Sequence, residues 1–204
     1  MAQGYKDFTA GATLAAADLE DYCQNQSVLR FASAAARDAA CAAILTNGLM
    51  TYQTDTSSLT IYNGSIWVRM AAGGAWTTWT PTIASWTQGN GTVVAVYEQV
   101  GRTVNCYVII TWGTTSSGFV GTVSVPKTAA RAGALGVSYI NDSGGSAYPA
   151  VCLLETTTTA TVYVTVASGT YTTITGISAT VPFTFATGDS IRFSLTYEAA
   201  ADGT

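Results

Sequence analysis

With 204 residues, 12 acidic and 8 basic side chains and no histidine, the chain is long enough for one ordinary domain, or one with a small appendage, and can bury a substantial core. Charged residues make up 10% against 48% apolar, less than half the usual charged share of about 25%, so the surface is neutral and rich in Thr, Ser, Ala and Gly. A net charge of −4 provides no basic stripe for phosphate backbones or anionic lipid, which argues against nucleic acid and membrane partners; no apolar run reaches the ~18 residues of a membrane span, and MAQGYKDFTAG lacks the basic and apolar segments of an export signal.

Residues 1 to about 45 are Ala-rich with helical signals. A first helix is predicted to begin after Leu14 with Ala15 as cap, which puts Asp18 at the third helical position beside the free amides and the positive dipole end. Leu19, Tyr22, Cys23, Gln26 and Leu29 or Arg30 then recur at helical spacing, giving a mixed stripe on a helix of about 15 residues. Ser33 is a suitable N-cap for a second, Ala-rich helix to about Ala42.

Gly48–Gln53, Leu59–Tyr62 and Ile66–Arg69 read as three short strands of a meander, joined by Asp55–Ser58 and by the Asn63-Gly64 turn. Residues 1–70 hold few large apolar side chains, so self-association would supply missing burial, with Leu19, Tyr22, Gln26, Leu29, Phe31 and Trp67 as the expected interface between chains. A helix docking on its own chain's sheet explains the same stripe. A Gly-rich joint at 71–75 opens a linker over 71–80.

Over 81–204 the pattern becomes period two. Val104, Cys106, Val108, Ile110 and Trp112 fall on one face, as do Val162, Val164 and Val166, and Ile191, Phe193, Leu195 and Tyr197. Further strands are predicted at Trp79–Ser85, Val93–Gln99, Gly118–Val125, Leu135–Asn141, Tyr148–Glu155 and Ile174–Ala179. The prolines fall near strand ends, and Thr156–Thr159 reads as a hairpin tip. The fold class expected is therefore mainly β: an N-terminal helical arm with a small β-meander, then an antiparallel, jelly-roll-like β-sandwich knob.

The absence of histidine excludes the common nucleophilic triads, and the Gly-rich pieces GGAW, GNG and SGG lack the Lys-Ser/Thr ending of a phosphate loop and so read as turns. Glu98, Asp142, Glu155, Asp189 and Glu198 have no spacing that pairs them for glycoside hydrolysis, and no calcium-loop pattern occurs. Cys23, Cys41, Cys106 and Cys152 are far apart with no C-x-x-C, which favours buried, reduced thiols over a metal site or a disulfide framework. No enzyme activity, cofactor or metal is expected. Trp76, Trp79 and Trp86 cluster at the entry to the knob, and Trp112, Phe119, Tyr139, Tyr148 and Tyr171 fall at or near strand ends. Core or interface packing is the favoured reading for these rings; stacking on a surface ligand is the other. Tyr139, Asn141, Asp142, Tyr148 and Tyr171 are the candidate surface contacts.

FTAGATLAAADLEDYCQNQSVLRFASAAARDAA followed by NGLMTYQTDTSSLTIYNGSIWVRM resembles the N-terminal module of minor tail and tail-fibre proteins of tailed bacteriophages, particularly those infecting actinobacteria. The matching elements are Phe8, Ala16–Leu19, Arg30–Ala32, Arg37–Ala40 and Tyr62–Trp67, in order and in spacing, over about a third of the chain. WTTWTPT also looks like the lead-in to the C-terminal β-domains of such proteins. The chain departs from the family pattern at Ala15, where threonine is common, and at Leu45–Gly48, where Pro-x-x-Gly is common. The resemblance implies a homotrimeric virion appendage assembled in the host cytoplasm, with residues 1–70 attached to other virion proteins and a distal knob facing a host glycan or protein. A capsid decoration or head-fibre protein is the alternative, because the chain is short for a fibre and has no long fibrous repeat.

Overall fold

The computed structural model describes residues 10–11, 13, 15–19, 27–73, 76–119 and 121–202. The chain divides into two compact units, residues 1–75 and 76–201.

In the first unit, α1 (Ala16–Leu19) begins after Ala15 as expected from the sequence, with Asp18 N donating to Ala15 O at 3.0 Å. The predicted continuation to Leu29 is corrected, because β1 (Leu29–Phe31) is a strand that lies parallel to β2 (Met50–Gln53). Leu29 and Phe31 flank Arg30, a period-two pattern whose Leu29 also satisfies helical spacing from Leu19; pairing with β2 decides for the strand. Tyr22, Cys23, Gln26 and the side chain of Leu19 lie outside the described residues. The second helix, α2 (Ala34–Cys41), forms as expected, with Ser33 Oγ accepting from Ala36 N at 3.2 Å. β2, β3 (Ser58–Tyr62) and β4 (Trp67–Ala72) make the meander, in the order β1-β2-β3-β4. Its Asn63-Gly64 turn closes because Asn63 Oδ1 accepts from Ser65 N and Ile66 N, and Gly64 supplies a φ of 95°.

The interior of this unit is small and partly polar. Cys41, Leu49 and Trp67 are buried, with Leu29, Phe31, Ile44 and Tyr62 packed against them. The buried polar side chains include Thr51 and Thr60, whose hydroxyls meet at 2.7 Å. Arg37 is buried with its guanidinium 4.4 Å from the Trp67 ring centre and bonded to Asp38 at 2.8 Å. With the Gln53 carboxamide oriented by its partners, its oxygen accepts from Arg37 Nη1 and Ala34 N at 3.0 and 3.1 Å. Trp67 is thereby committed to its own chain. Leu29 and Phe31 lean on the same cluster.

The second unit is built on β5 (Thr77–Thr78), β6 (Trp86–Thr87), β7 (Thr92–Val100), β8 (Thr103–Thr111), β9 (Ser117–Gly118), β10 (Thr122–Ser124), β11 (Leu135–Asn141), β12 (Ala147–Leu154), β13 (Thr159–Ser168), β14 (Tyr171–Gly176) and β15 (Ser190–Glu198). Nine of these form one antiparallel sheet, ordered β10-β13-β12-β11-β15-β8-β7-β5 with β14 also on β13, while β6 and β9 pair separately. The expectation of separate stacked sheets gives way to one continuous, curled sheet. Its two edges are drawn together by the segment after β5. Ser124 N donates to Thr82 O at 2.8 Å and Ala84 N to Thr122 O at 2.9 Å, so residues 82–84 lie along β10 while β5 lies along β7.

Curling makes one face interior. Val104, Cys106, Val108 and Ile110 of β8, Val162 and Val164 of β13, and Ile191, Phe193, Leu195 and Tyr197 of β15 are all buried, the alternation the sequence predicts. Two predicted strands do not form as expected. Over Trp79–Ser85 only Ile83 makes an isolated bridge, to Val123, and Gly118–Val125 is split by positive φ at Gly118, Phe119 and Gly121. Pro149 stands inside β12, at the stretch where pairing with β13 has not yet begun, so its missing amide breaks no ladder on that side.

Candidate binding surface

The antiparallel registers fix which loops share an end of the sheet. The turns at 88–91, 113–116, 142–146, 169–170 and 186–189 gather at one end, and 101–102, 126–134, 155–158 and 199–201 at the other.

The two ends differ in charge. At the second, Glu198 lies between Arg131 and Arg102, the latter at 3.2 Å, and Arg102 Nε donates to Ala199 O at 3.0 Å. The hydrogen bond from Arg131 is the main cause that holds the Glu198 carboxyl below its ordinary value. Tyr197 Oη donates to Lys127 O at 2.8 Å, and burial raises its pKa. Glu155 accepts from Tyr163 Oη, which raises the Tyr163 pKa.

The first end has no basic side chain in its turns and presents hydroxyls, amides, the Asp142 carboxylate and one large ring. Asn90 N donates to Thr115 Oγ1 at 2.9 Å, Asn90 Nδ2 to Thr114 Oγ1 at 2.8 Å, and Thr115 N returns a bond to Asn90 Oδ1 at 3.0 Å. These bonds stitch two surface turns together. The turns approach so closely that a Cβ on Gly113 would run into Asn90, which explains the glycine there. Below them, Asp189 is buried and accepts from Ser143 N at 2.8 Å, Ser143 Oγ at 2.9 Å and Ala186 N at 2.6 Å, while its own carbonyl accepts from Trp112 N at 2.9 Å. The Asp189 carboxylate thus joins the 142–146 turn to its own 186–189 turn, and its backbone carbonyl reaches the aromatic floor at Trp112. In that floor Trp112 stacks on Phe185 at 4.4 Å between ring centres and meets Phe119 at 5.3 Å, Phe185 meets Phe183 at 4.7 Å, and Phe183 meets Tyr148 at 5.4 Å.

The five residues expected to contact a host do not converge. Asn141 and Asp142 sit at the neutral end, where Asp142 Oδ1 accepts from Gly144 N at 3.0 Å, and Tyr171 stands 79% exposed at the β13–β14 turn. Tyr139 lies on the outer sheet face, opposite Pro149 and Arg192. Tyr148 is turned inward and packs on Phe183, because it pairs with buried Ile140 and shares its face; this corrects its expected role as a surface contact. Gln88, Asn90, Thr114, Thr115 and Ser116 belong to the neutral end and were not singled out from sequence. Their only signal is a pair of Gly-bounded polar clusters, QGNG and GTTSSG, which read as turns without showing that the two turns meet.

Among the described residues no cluster of three or more His, Cys, Asp or Glu could hold a metal ion, and no helix is long and apolar enough to cross a membrane. The arrangement offers a fixed set of hydroxyl and amide donors and acceptors with the Asp142 carboxylate and an exposed tyrosine beside them, suited to binding a polar surface. Comparison with protein families, characterised proteins and solved structures finds no match to this chain.

Proposed function

We propose that this chain is a structural protein of a tailed-bacteriophage particle: a short homotrimeric tail-fibre or minor tail protein whose residues 1–75 attach to the virion and whose β-unit faces outward, its neutral end contacting a host-surface glycan or protein. Its role is adhesive and structural rather than catalytic. The observation that carries the reading is that the stretch resembling the phage attachment module, Phe8 to Trp67, falls wholly within the first compact unit, leaving a separate β-unit with a hydroxyl- and amide-rich, hydrogen-bonding end. Recognition there would rest on stacking and hydroxyl or amide bonds, weak at each site and multiplied by repeated copies.

The test uses purified particles. Quantitative mass spectrometry should find the chain at a few to a few dozen copies per virion, and antibodies against residues 76–201 should label the tail and reduce adsorption. Alanine at Tyr171, Asn90 and Thr115 should reduce adsorption at both low and moderate salt. Absence of the chain from washed particles overturns the virion reading. A capsid decoration or head-fibre role is the second reading, favoured by the lack of any long fibrous repeat in 204 residues; hundreds of copies per particle with label on the head would select it.

A further inference from the structure

Three of the six asparagines precede a glycine, at Asn47-Gly48, Asn63-Gly64 and Asn90-Gly91, and all three asparagines are exposed. Such a pair carries a reaction of its own. The next backbone nitrogen lies close along the chain to the side-chain amide carbon, and glycine has no Cβ to hinder its approach. Loss of the side-chain amide as ammonia then depends on a nitrogen free to attack, on stabilisation of the charge that develops on Oδ1, and on a leaving NH₂ that nothing else holds.

The fold treats the three pairs differently. Gly48 N donates to Tyr62 O at 2.8 Å and Gly91 N to Gln88 O at 2.9 Å, so each nitrogen has its proton committed to a carbonyl and its peptide plane fixed by that bond. Asn90 is also held at both ends of its side chain: Oδ1 accepts from Thr115 N and Thr115 Oγ1, each at 3.0 Å, and Nδ2 donates to Thr114 Oγ1 at 2.8 Å. Turning that amide onto Gly91 N would break these bonds.

Asn63 stands in a different setting. Among the described residues neither Gly64 N nor Asn63 Nδ2 has a hydrogen-bond partner, while Asn63 Oδ1 accepts from Ser65 N at 3.0 Å and from Ile66 N at 2.9 Å. Two backbone amides therefore point at the oxygen that becomes negative when Cγ is attacked, at the roughly 3 Å separation of an oxyanion site. Gly64 has a φ of 95°, and the atom nearest to where its Cβ would stand is Asn47 Cβ at 3.9 Å, so the turn is open on that side.

We propose that Asn63-Gly64 is a self-modification site of the first unit, at which the folded turn promotes deamidation. Gly64 N gives its proton to hydroxide and bonds to Asn63 Cγ; the Cγ–Nδ2 bond breaks, and the nitrogen leaves as ammonia with a proton taken from water. Water then opens the five-membered imide. Attack at Cγ gives aspartate in the ordinary backbone, and attack at the backbone carbonyl gives isoaspartate, whose main chain runs through the side-chain methylene. The aspartate product keeps the turn, since its carboxylate still accepts from Ser65 N and Ile66 N and its charge strengthens both bonds. The isoaspartate product lengthens the chain where Asn63 N donates to Ile66 O at 3.0 Å, beside the Tyr62–Trp67 ring contact at 5.3 Å, and so loosens the β3–β4 end of the meander. This site is independent of the virion reading.

The experiment incubates the full-length chain in mildly alkaline buffer, folded and in parallel unfolded in guanidinium chloride, and follows the three Asn-Gly peptides by digestion and mass spectrometry. Each rate is compared with that of the same site in the unfolded chain, where only local sequence acts. Folding should leave the Asn63 rate unchanged or raise it, and should slow Asn47 and Asn90 by about 10-fold or more, because their attacking nitrogens are bonded and Asn63 alone keeps both a free nitrogen and a pair of oxyanion donors. Hydroxylamine, which opens the imide, should accordingly cut the folded chain between residues 63 and 64 and spare the other two pairs; Asn63→Asp should abolish that cut. Folding that slows Asn63, or that leaves Asn47 or Asn90 as reactive as Asn63, overturns the proposal.

Discussion

Asp189 is the residue on which the geometry of the neutral end most depends, and its replacement gives a graded prediction. Its carboxylate accepts three hydrogen bonds, two from backbone amides (Ser143 and Ala186) and one from the Ser143 hydroxyl, in a site where the residue is 1% exposed. Bonds to a charged acceptor contribute about 1.5–3 kcal/mol each but share one group and do not add, while each amide left unpaired costs about 1–3 kcal/mol. Asp189→Ala should therefore lose about 4 kcal/mol. Asp189→Asn retains an oxygen for Ser143 but turns an NH₂ toward the Ala186 amide, so donor meets donor, and the loss should be about 2–3 kcal/mol. Ser143→Ala removes only the hydroxyl bond and should cost about 1 kcal/mol. At about 2–4 °C per kcal/mol for a chain of this size, the melting temperature of the β-unit should fall by about 12, 7 and 3 °C in that order. Thermal unfolding followed by near-ultraviolet circular dichroism reads the series, because Trp112 lies directly on the Asp189 carbonyl. An Asp189→Asn protein as stable as wild type would refute the claim that the negative carboxylate, rather than the shape of the side chain, holds these turns.

The remaining predictions test other parts of the chain. Ser33→Ala removes the acceptor for the Ala36 amide and should lower the stability of the first unit by about 1 kcal/mol, seen as faster amide exchange over residues 34–41 with the β-unit unchanged. Burial pushes the Cys106 and Cys152 thiols up from 9.0 to about 12, so both should resist a thiol reagent at pH 8 until the chain unfolds. Because the unfolded chain releases these protons first, stability should decline as pH rises from 9 towards 12, and Cys106→Ala/Cys152→Ala should flatten that decline even though it lowers stability at neutral pH. Glu198 shows the opposite sign. Its carboxyl lies below the ordinary 4.5, so its stabilising contribution is present above that pH and fades as pH falls through and below it; Glu198→Gln should remove this part of the acid dependence.

The parts of the fold legible in the sequence are those where one physical rule acts alone. β8 and β15 each have one face in the core, so strict alternation locates them within a residue or two. Ser33 announces α2 because a side-chain cap is a local device. Misreadings occur where two rules compete. Leu29 satisfies helical spacing from Leu19 as well as alternation with Phe31, and only the parallel partner β2, 20 residues downstream, favours the strand. The run from Gly118 to Val125 alternates well enough to read as one strand, yet Gly118, Phe119 and Gly121 adopt positive φ. The bend aims Phe119 into the aromatic floor beside Trp112 and Phe185, a contact that periodicity does not reveal.

The candidate surface was less legible for a related reason. A neutral loop cluster has no motif; its members become a site only when topology brings them to one end, and that depends on placing β15, the last strand, between β8 and β11. This insertion carries Asp189 beneath the 142–146 turn and beside Trp112, and it carries Glu198 to the opposite end between Arg102 and Arg131. The same strand therefore anchors the neutral end with a buried carboxylate and fixes the charged end with an exposed one. Proximity to a predicted loop suggests a surface position for Tyr148 but says nothing about which face a residue takes. One register pair, Ile140 with Tyr148, decides that it points inward, and the adjacent pair, Tyr139 with Pro149, decides that Tyr139 points out. On a two-faced sheet the step from residue to role passes through register, and Tyr139 is thereby assigned to the apolar outer face rather than to the hydrogen-bonding end.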